Sequence, residues 1–239
     1  MSQFSLQLAS NSPRRRQLMS WAGWSFTVAA ANIDESVREG EEPGPYVLRL
    51  AVSKARAVSA APAGSVSAGE LRLLIAADTT VADGKEILGK PADASDAWRM
   101  LNQLRGRTHQ VYTGLAVFDP SNGRMETDLC RSEVQIRSMT DREIRDYISS
   151  GDPFDKAGGY GIQNQIYHPV EFFQGCYANI MGLPLCRLEQ LLARFEVYPP
   201  DSSGPALSGQ APSRLRCSGS LENDCPVYQR LLQERAEQG

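Results

Sequence analysis

Residues 71–77, Leu-Arg-Leu-Leu-Ile-Ala-Ala, form an almost unbroken apolar run that stops abruptly at Asp78-Thr79-Thr80. A run of this length and content reads as a strand buried on both faces, except at Arg72. Ligands of open α/β sheets collect outside the carboxyl ends of strands. The Asp78-Thr79 step is therefore a candidate site, or else a turn cap.

The flanking sequence supplies the rest of an α/β pattern. Residues 5–9 alternate as a short strand, and Ser12-Pro13 opens a helix that runs from Arg14 to about Ala22 and stops at Gly23. Residues 24–30 predict a second strand and 34–45 a loop. Val47, Leu50, Ala51, Ala55 and Val58 recur at helical spacing, which predicts a helix over 46–60. Asp83-Gly84 centres a hairpin over 81–88, and a helix covers 94–105. Strands at 109–118 and 129–137 flank the turn at 120–123, and Thr140 with Glu143 forms a capping box before a helix to Ser149. Residues 152–168 read as loop and 186–196 as a last helix. Strands, helices and hairpins in this order predict an α/β fold with a mixed twisted sheet flanked by helices.

The 239 residues suit one large domain or one domain with an appendage. Pro, Ser and Gly dominate from about residue 198 to 220, which reads as a linker; 221–239 could form one short helical tail, too short to be stable alone. A net charge of −3 gives no basic field for duplex nucleic acid. The longest apolar run, Leu73–Ala77, is far below a membrane span, and no secretory signal opens the chain. Five scattered cysteines without a C-x-x-C spacing argue against a disulfide framework and a zinc site, which fits a reduced cytoplasmic protein.

Four segments carry candidate chemistry. Ser10-Asn11-Ser12-Pro13-Arg14-Arg15 places hydroxyls and guanidinium groups at a helix start, where the macrodipole disfavours cations. A bound polyanion resolves that conflict; a solvated basic turn is the alternative. Asp34-Glu35 and Asp78 offer hard oxygen ligands for a divalent cation, although 34–42 also reads as a solvated acidic loop. Lys54 falls in the middle of the apolar arc of its helix, so it either snorkels or aims a cation into a cleft. In Asp155-Lys156-Ala157-Gly158-Gly159-Tyr160-Gly161-Ile162-Gln163, glycines permit close approach of a ligand and Gln163 suits a nucleobase edge. Only four of the 25 basic residues are Lys, which makes Lys54, Lys85, Lys90 and Lys156 unusual choices. His109 and His168 offer little for histidine-based catalysis, and no nucleophile elbow, P-loop or H-E-x-x-H is present. Arg, Lys, Asp, Glu and hydroxyl groups remain, the kit of metal-assisted phosphate chemistry.

In this order, Leu8-Ala9-Ser10-Asn11-Ser12-Pro13-Arg14-Arg15, Ile33-Asp34-Glu35, Leu50…Lys54-Ala55, Ala77-Asp78-Thr79, Gly89-Lys90-Pro91, Thr108-His109-Gln110-Val111, the Asp155–Gln163 segment and Gly182-Leu183-Pro184 resemble the Maf-like nucleoside triphosphate pyrophosphatases, also described as septum formation inhibitor homologues. The resemblance runs from about Leu6 to Phe195 and implies two lobes around a central cleft, often in a homodimer. It implies hydrolysis of a nucleoside triphosphate between the α and β phosphates, with a divalent metal (Mg²⁺ or Mn²⁺). It makes Asp78 the proton acceptor and ties Arg14, Thr79 and Gln163 to substrate choice. Ser10, Arg15, Glu35, Lys54 and Lys90 match other pocket positions, with Glu35 and Asp78 as the metal carboxylates. Ser12 and Lys156 lie in the matched segments as further substrate ligands. Arg14 with Gln163 resembles the branch acting on dTTP and UTP. The alternatives are a modified purine triphosphate such as 7-methyl-GTP, or a non-catalytic nucleotide-binding regulator of septum formation. The tail has no counterpart in the family and is either disordered or docks on an unknown partner.

Overall fold

The computed structural model describes residues 4–30, 32–60 and 71–198. The expected linker at 198–220, apart from Tyr198, and the tail at 221–239 lie outside the described residues. A seven-stranded mixed sheet carries the fold, in the order β2 (Thr27–Val28), β1 (Phe4–Leu8), β3 (Leu71–Asp83), β5 (Thr108–Asp119), β6 (Arg124–Ile136) and β7 (Val170–Gln174). The seventh strand, β4 (Glu86–Leu88), pairs with β3. β1 runs parallel to β2 and β3, and all other pairings are antiparallel.

The strand alternation of β3 sorts the two faces of the sheet. Leu73, Ile75, Ala77 and Val81 join the larger core with α1 (Pro13–Trp21), α3 (Ala94–Leu104), α4 (Asp141–Ser149) and α6 (Leu185–Ala193). Leu74 and Ala76 face α2 (Pro43–Ala60) through Ala51, Ala55 and Val58. The approach of α2 is very close at Gly114: a Cβ there would lie 2.5 Å from the Val47 carbonyl oxygen. Glycine is what lets the helix backbone rest on the sheet at the register partner of Asp78.

Several boundaries differ from the sequence reading, among them the start of β6, which opens at Arg124 and not at 129 because it pairs with β5 from there. First, β3 does not stop at Asp78 but continues to Asp83, because β5 pairs with it from Leu74 to Ala82. Second, α2 begins at Pro43, since prolines in a first helical turn forfeit no intrahelical hydrogen bond. Third, only Thr27–Val28 of the predicted 24–30 strand pairs, while Trp24 turns into the core. The edge strand β7 and the short α5 (Tyr177–Ile180) lie between 169 and 185, where the sequence reading assigned no element. Among the described residues no helix is long and apolar enough to cross a membrane.

Candidate active site

The extension of β3 creates the site. On one edge β1 pairs with β3 only as far as Ile75, and β4 takes over that edge only at Val81. Residues 76–80 are thus left without a strand neighbour on that side. Asp78 and Thr79 sit in this gap and point to opposite faces of the sheet. A cleft of about 860 Å³ opens there and is lined by Ser10, Ser12, Arg14, Arg15, Glu35, Lys54, Asp78, Thr79, Lys90, Lys156 and Gln163, among others. Every residue that the family resemblance placed in the pocket therefore reaches one cavity. Asp34 does not; its Oδ1 accepts the Ser36 amide at 2.9 Å, so of the acidic pair only Glu35 faces the cleft.

At the base of the cleft, Lys54 Nζ lies 2.5 Å from Asp78 Oδ1 and 2.6 Å from Glu35 Oε1. α2 presents Lys54 from above the sheet, and Lys54 and Asp78 are both buried. The cleft reading of Lys54 thus prevails over the snorkelling one. Glu35 is carried by a loop that is braced from below. Tyr46 Oη donates to the Glu35 carbonyl at 2.9 Å, and Arg49 clamps the neighbouring Glu41 with two bonds of 2.6 Å.

The two carboxyl groups are driven apart electrostatically. Burial pushes Asp78 above the usual carboxylate range, and the cations Lys54 and Arg15 only partly oppose it. Burial also pushes Glu35 up, but the Lys54 hydrogen bond and the charges of Lys54, Lys90 and Arg15 outweigh it and hold Glu35 below its usual value. Carboxyls separated in this way take different proton roles.

The Ser10–Arg15 turn builds the next layer. Arg15 donates from Nε to the Gly182 carbonyl at 2.8 Å, from one terminal nitrogen to Ser10 Oγ at 3.1 Å, and from the other to Thr79 Oγ1 at 3.1 Å. Thr79 Oγ1 meets Thr113 Oγ1 at 2.9 Å, and Thr113 donates onward to the Asn179 carbonyl at 3.0 Å. Gly182 has φ +102°, and a Cβ there would crowd Thr79 Oγ1 at 3.2 Å. Ser12 is the N-cap of α1, but its hydroxyl makes no capping bond. The first amides of α1 therefore keep their donor capacity beside the cleft, as the sequence reading required.

The opposite rim is a chain of ion pairs. Arg14 reaches Asp155 Oδ2 at 3.1 Å. Lys156 Nζ meets Asp155 Oδ1 at 2.6 Å and Asp152 Oδ1 at 2.9 Å, and donates to the Asp152 carbonyl at 2.6 Å. Asp152 Oδ2 also accepts from Tyr147 Oη at 2.6 Å and from Asn164 at 3.0 Å. Asp152, Tyr147, Tyr46 and Asn179 thus shape the cleft although the sequence reading gave them no role. A short acidic spacing before Lys156 was the one local signal for Asp152.

Gly158 and Gly159 serve packing, while Gly161 also lines the cleft. Gly158, at φ +69°, packs on Val81, and Gly161 lies under the Lys156 stem. His109 is a core residue: its Nε2 meets Tyr160 Oη at 2.7 Å, and burial lowers its pKa to about 4, which keeps it neutral.

Among the described residues no group of three His, Cys, Asp or Glu forms a complete metal cage. The oxygens of Asp78 and Glu35 nevertheless converge on one ammonium nitrogen. Two hard carboxylates beside a cationic cleft fit Mg²⁺ or Mn²⁺, which take remaining ligands from phosphates and water.

Fold and cleft define an α/β protein with a cleft lined by cations and carboxylates across a gap in a mixed sheet. The chain belongs to the Maf-like family, whose model matches residues 5–195. A dTTP/UTP pyrophosphatase of Geotalea uraniireducens is 46% identical over 187 residues, covering 78% of this chain and 93% of the relative. Dimensions are similar for the dTTP/UTP pyrophosphatase of Citrifermentans bemidjiense, 44% identical over 192 residues (80% and 96% covered). That of Chromobacterium violaceum is 46% identical over 190 residues (80% and 94%).

Proposed function

We propose that this protein hydrolyses dTTP and UTP to the monophosphate and pyrophosphate. The observation that carries the reading is the Asp78–Lys54–Glu35 cluster, with Asp78 and Lys54 buried and Glu35 half exposed, at the base of a cleft walled by Arg14, Arg15, Lys90 and Gln163. Full-length relatives with more than 40% identity bear the name dTTP/UTP pyrophosphatase.

In this reading the α1 amides, Ser12 and Lys90 hold the phosphates, and Arg14 with Gln163 selects the base. Among the described residues Lys90 makes no ion pair, so its charge is available to phosphate. Arg15 is committed to Ser10, Thr79 and Gly182 and holds the phosphate turn in shape. Asp78 Oδ2, the oxygen not engaged by Lys54, accepts the proton of the attacking water. Lys54 keeps that carboxylate oriented and offsets the charge that builds on the departing pyrophosphate. A divalent ion held by Glu35 and Asp78 would supply acidified water and neutralise phosphate charge. Lys156 bears on the substrate through its two aspartates, since its amine is already surrounded by Asp152 and Asp155. A reducing cytoplasm is the compartment this reading assigns, and no disulfide joins Cys130, Cys176 and Cys186.

The test is pyrophosphate release from a panel of canonical and modified triphosphates with Mg²⁺, with Mn²⁺ and with EDTA. Metal-dependent release from dTTP and UTP, with little from ATP or GTP, is expected. Release mainly from 7-methyl-GTP overturns the substrate assignment, and binding without release from any of them overturns the enzymatic one.

A further inference from the structure

Gln163, the side chain assigned to the base, sits in a tight turn. The Asn164 amide donates to the Gly161 carbonyl at 3.1 Å, which leaves Ile162 and Gln163 at the two central positions. Ile162 packs against the large core, and Gln163 lines the cleft. Among the described residues no hydrogen bond fixes the Gln163 side chain, so its direction is inherited from the turn.

Both ends of that turn lead to one carboxylate oxygen. At the first end the Gly161 amide donates to Tyr147 Oη at 2.9 Å, and Tyr147 Oη donates to Asp152 Oδ2 at 2.6 Å. At the second end Asn164 Nδ2 donates to the same Oδ2 at 3.0 Å. The other oxygen, Oδ1, accepts from Lys156 Nζ at 2.9 Å. Tyr147 stands in the last turn of α4, is fully buried, and lies against Tyr167 with ring centroids 4.9 Å apart. The water attack uses neither Tyr147 nor Asp152.

We propose that Tyr147 and Asp152 are positioning residues for base selection. They staple the Gly161–Asn164 turn at both ends and so aim the Gln163 amide at the nucleobase edge, a role that rests on Gln163 being the residue that reads the base. A carboxamide tells base edges apart only when its donor and acceptor ends are held within about 0.5 Å of the productive geometry. A surface turn left to itself is too mobile for that. The staple is built to last at neutral pH. Burial, and then the bond to Asp152, hold the Tyr147 hydroxyl protonated above the ordinary tyrosine range, so it donates to Asp152 while its lone pair takes the Gly161 amide. Burial pushes Asp152 up, but the bonds from Tyr147, Lys156 and Asn164 outweigh it and hold Asp152 below the usual carboxylate range. An ionised acceptor makes these bonds about twice as strong as neutral ones.

Two variants test the staple from its two ends. Tyr147→Phe deletes one hydroxyl and keeps the ring on Tyr167. Asn164→Asp faces Asp152 with a second carboxylate, keeps the acceptor for the Ile166 and Tyr167 amides, and leaves the core untouched. Hydrogen–deuterium exchange of the full-length chain, read at the Gly161 amide, is expected to be about tenfold faster in Tyr147→Phe. That readout needs no substrate. A triphosphate panel shows which base the wild type prefers, and the variants are assayed on the same nucleotides, so a wrong substrate and a wrong positioning role are read apart. Both variants are expected to raise KM for the preferred triphosphate about fivefold, to change kcat less than about twofold, and to lower the preference over other bases by about the same fivefold factor. Added to Gln163→Ala, Tyr147→Phe is expected to change the preference less than about twofold, because the hydroxyl acts through Gln163. An unchanged Gly161 exchange rate overturns the staple. Faster exchange with an unchanged base preference, a wild-type preference in Asn164→Asp, or effects of the Tyr147 and Gln163 substitutions that multiply, overturns the link to the base.

Discussion

The base of the cleft and its rim use the same side chains to different ends. At the base, Lys54 and Asp78 lie on a helix and a central strand, and both are buried. At the rim, Arg14 and Asp155 pair across 141 residues of sequence with the Asp155 side chain 61% exposed. A charge pair removed from water interacts strongly and shifts proton affinities; one left in water is screened and exchangeable. The base is therefore suited to chemistry and the rim to exchanging its partners for substrate.

This contrast predicts a graded series. Asp78→Asn removes the proton acceptor and is expected to lower kcat about a thousandfold while sparing nucleotide binding. Single-turnover kinetics beside equilibrium binding separates the two, and a loss within tenfold would return Asp78 to an ordinary structural acid. Lys54→Met leaves two carboxylates facing each other. It is expected to cost about a hundredfold in kcat/KM and to lower Tm, read by activity and thermal melts.

Glu189 on α6 isolates burial from pairing. It is buried, its Oε2 has no hydrogen-bond partner among the described residues, and burial raises its pKa to about 7. The native state then holds this proton up to about pH 7, whereas the unfolded chain releases it near the ordinary 4.5. Native protein binds more protons in that window, so stability is full below it and falls as pH rises through it. Glu189→Gln is expected to stabilise the protein at pH 8, on the order of 2 kcal/mol, and hardly at pH 4. Urea melts at the two pH values check the sign.

Asp155→Asn breaks only the rim. Stability is expected to change by less than about 1 kcal/mol, as for other exposed pairs. The dTTP-to-UTP preference should shift a fewfold through the freed Arg14, with kcat retained. A kcat loss as large as that of Asp78→Asn would erase the distinction between base and rim.

Much of this site was legible in the chain. Arginines at a helix start oppose the macrodipole and left an anion site or a solvated basic turn as readings, and a Lys inside an apolar arc left a cleft cation or a snorkelling side chain; the structure decides the second by placing Lys54 between Asp78 and Glu35. What escaped was held by distant partners. Tyr46 bracing Glu35 and Asn179 bracing Thr113 depend on contacts that no local period encodes. β7 escaped for a related reason: its place is set by pairing with β6, and its exposed edge carries no clean alternation.

Sequence by itself determined the helix and strand types apart from β7 and α5, the buried central strand and the residue kit for phosphate chemistry. These follow from local preferences and hydrophobic periodicity, which act between near neighbours. Tertiary structure decided that β3 runs on past Asp78, because only pairing with β5 keeps it extended. It also decided that β1 and β4 leave the edge open between Ile75 and Val81. Where a strand loses its neighbour is a property of the whole sheet, and that vacancy is what places Asp78 and Thr79 in one cleft.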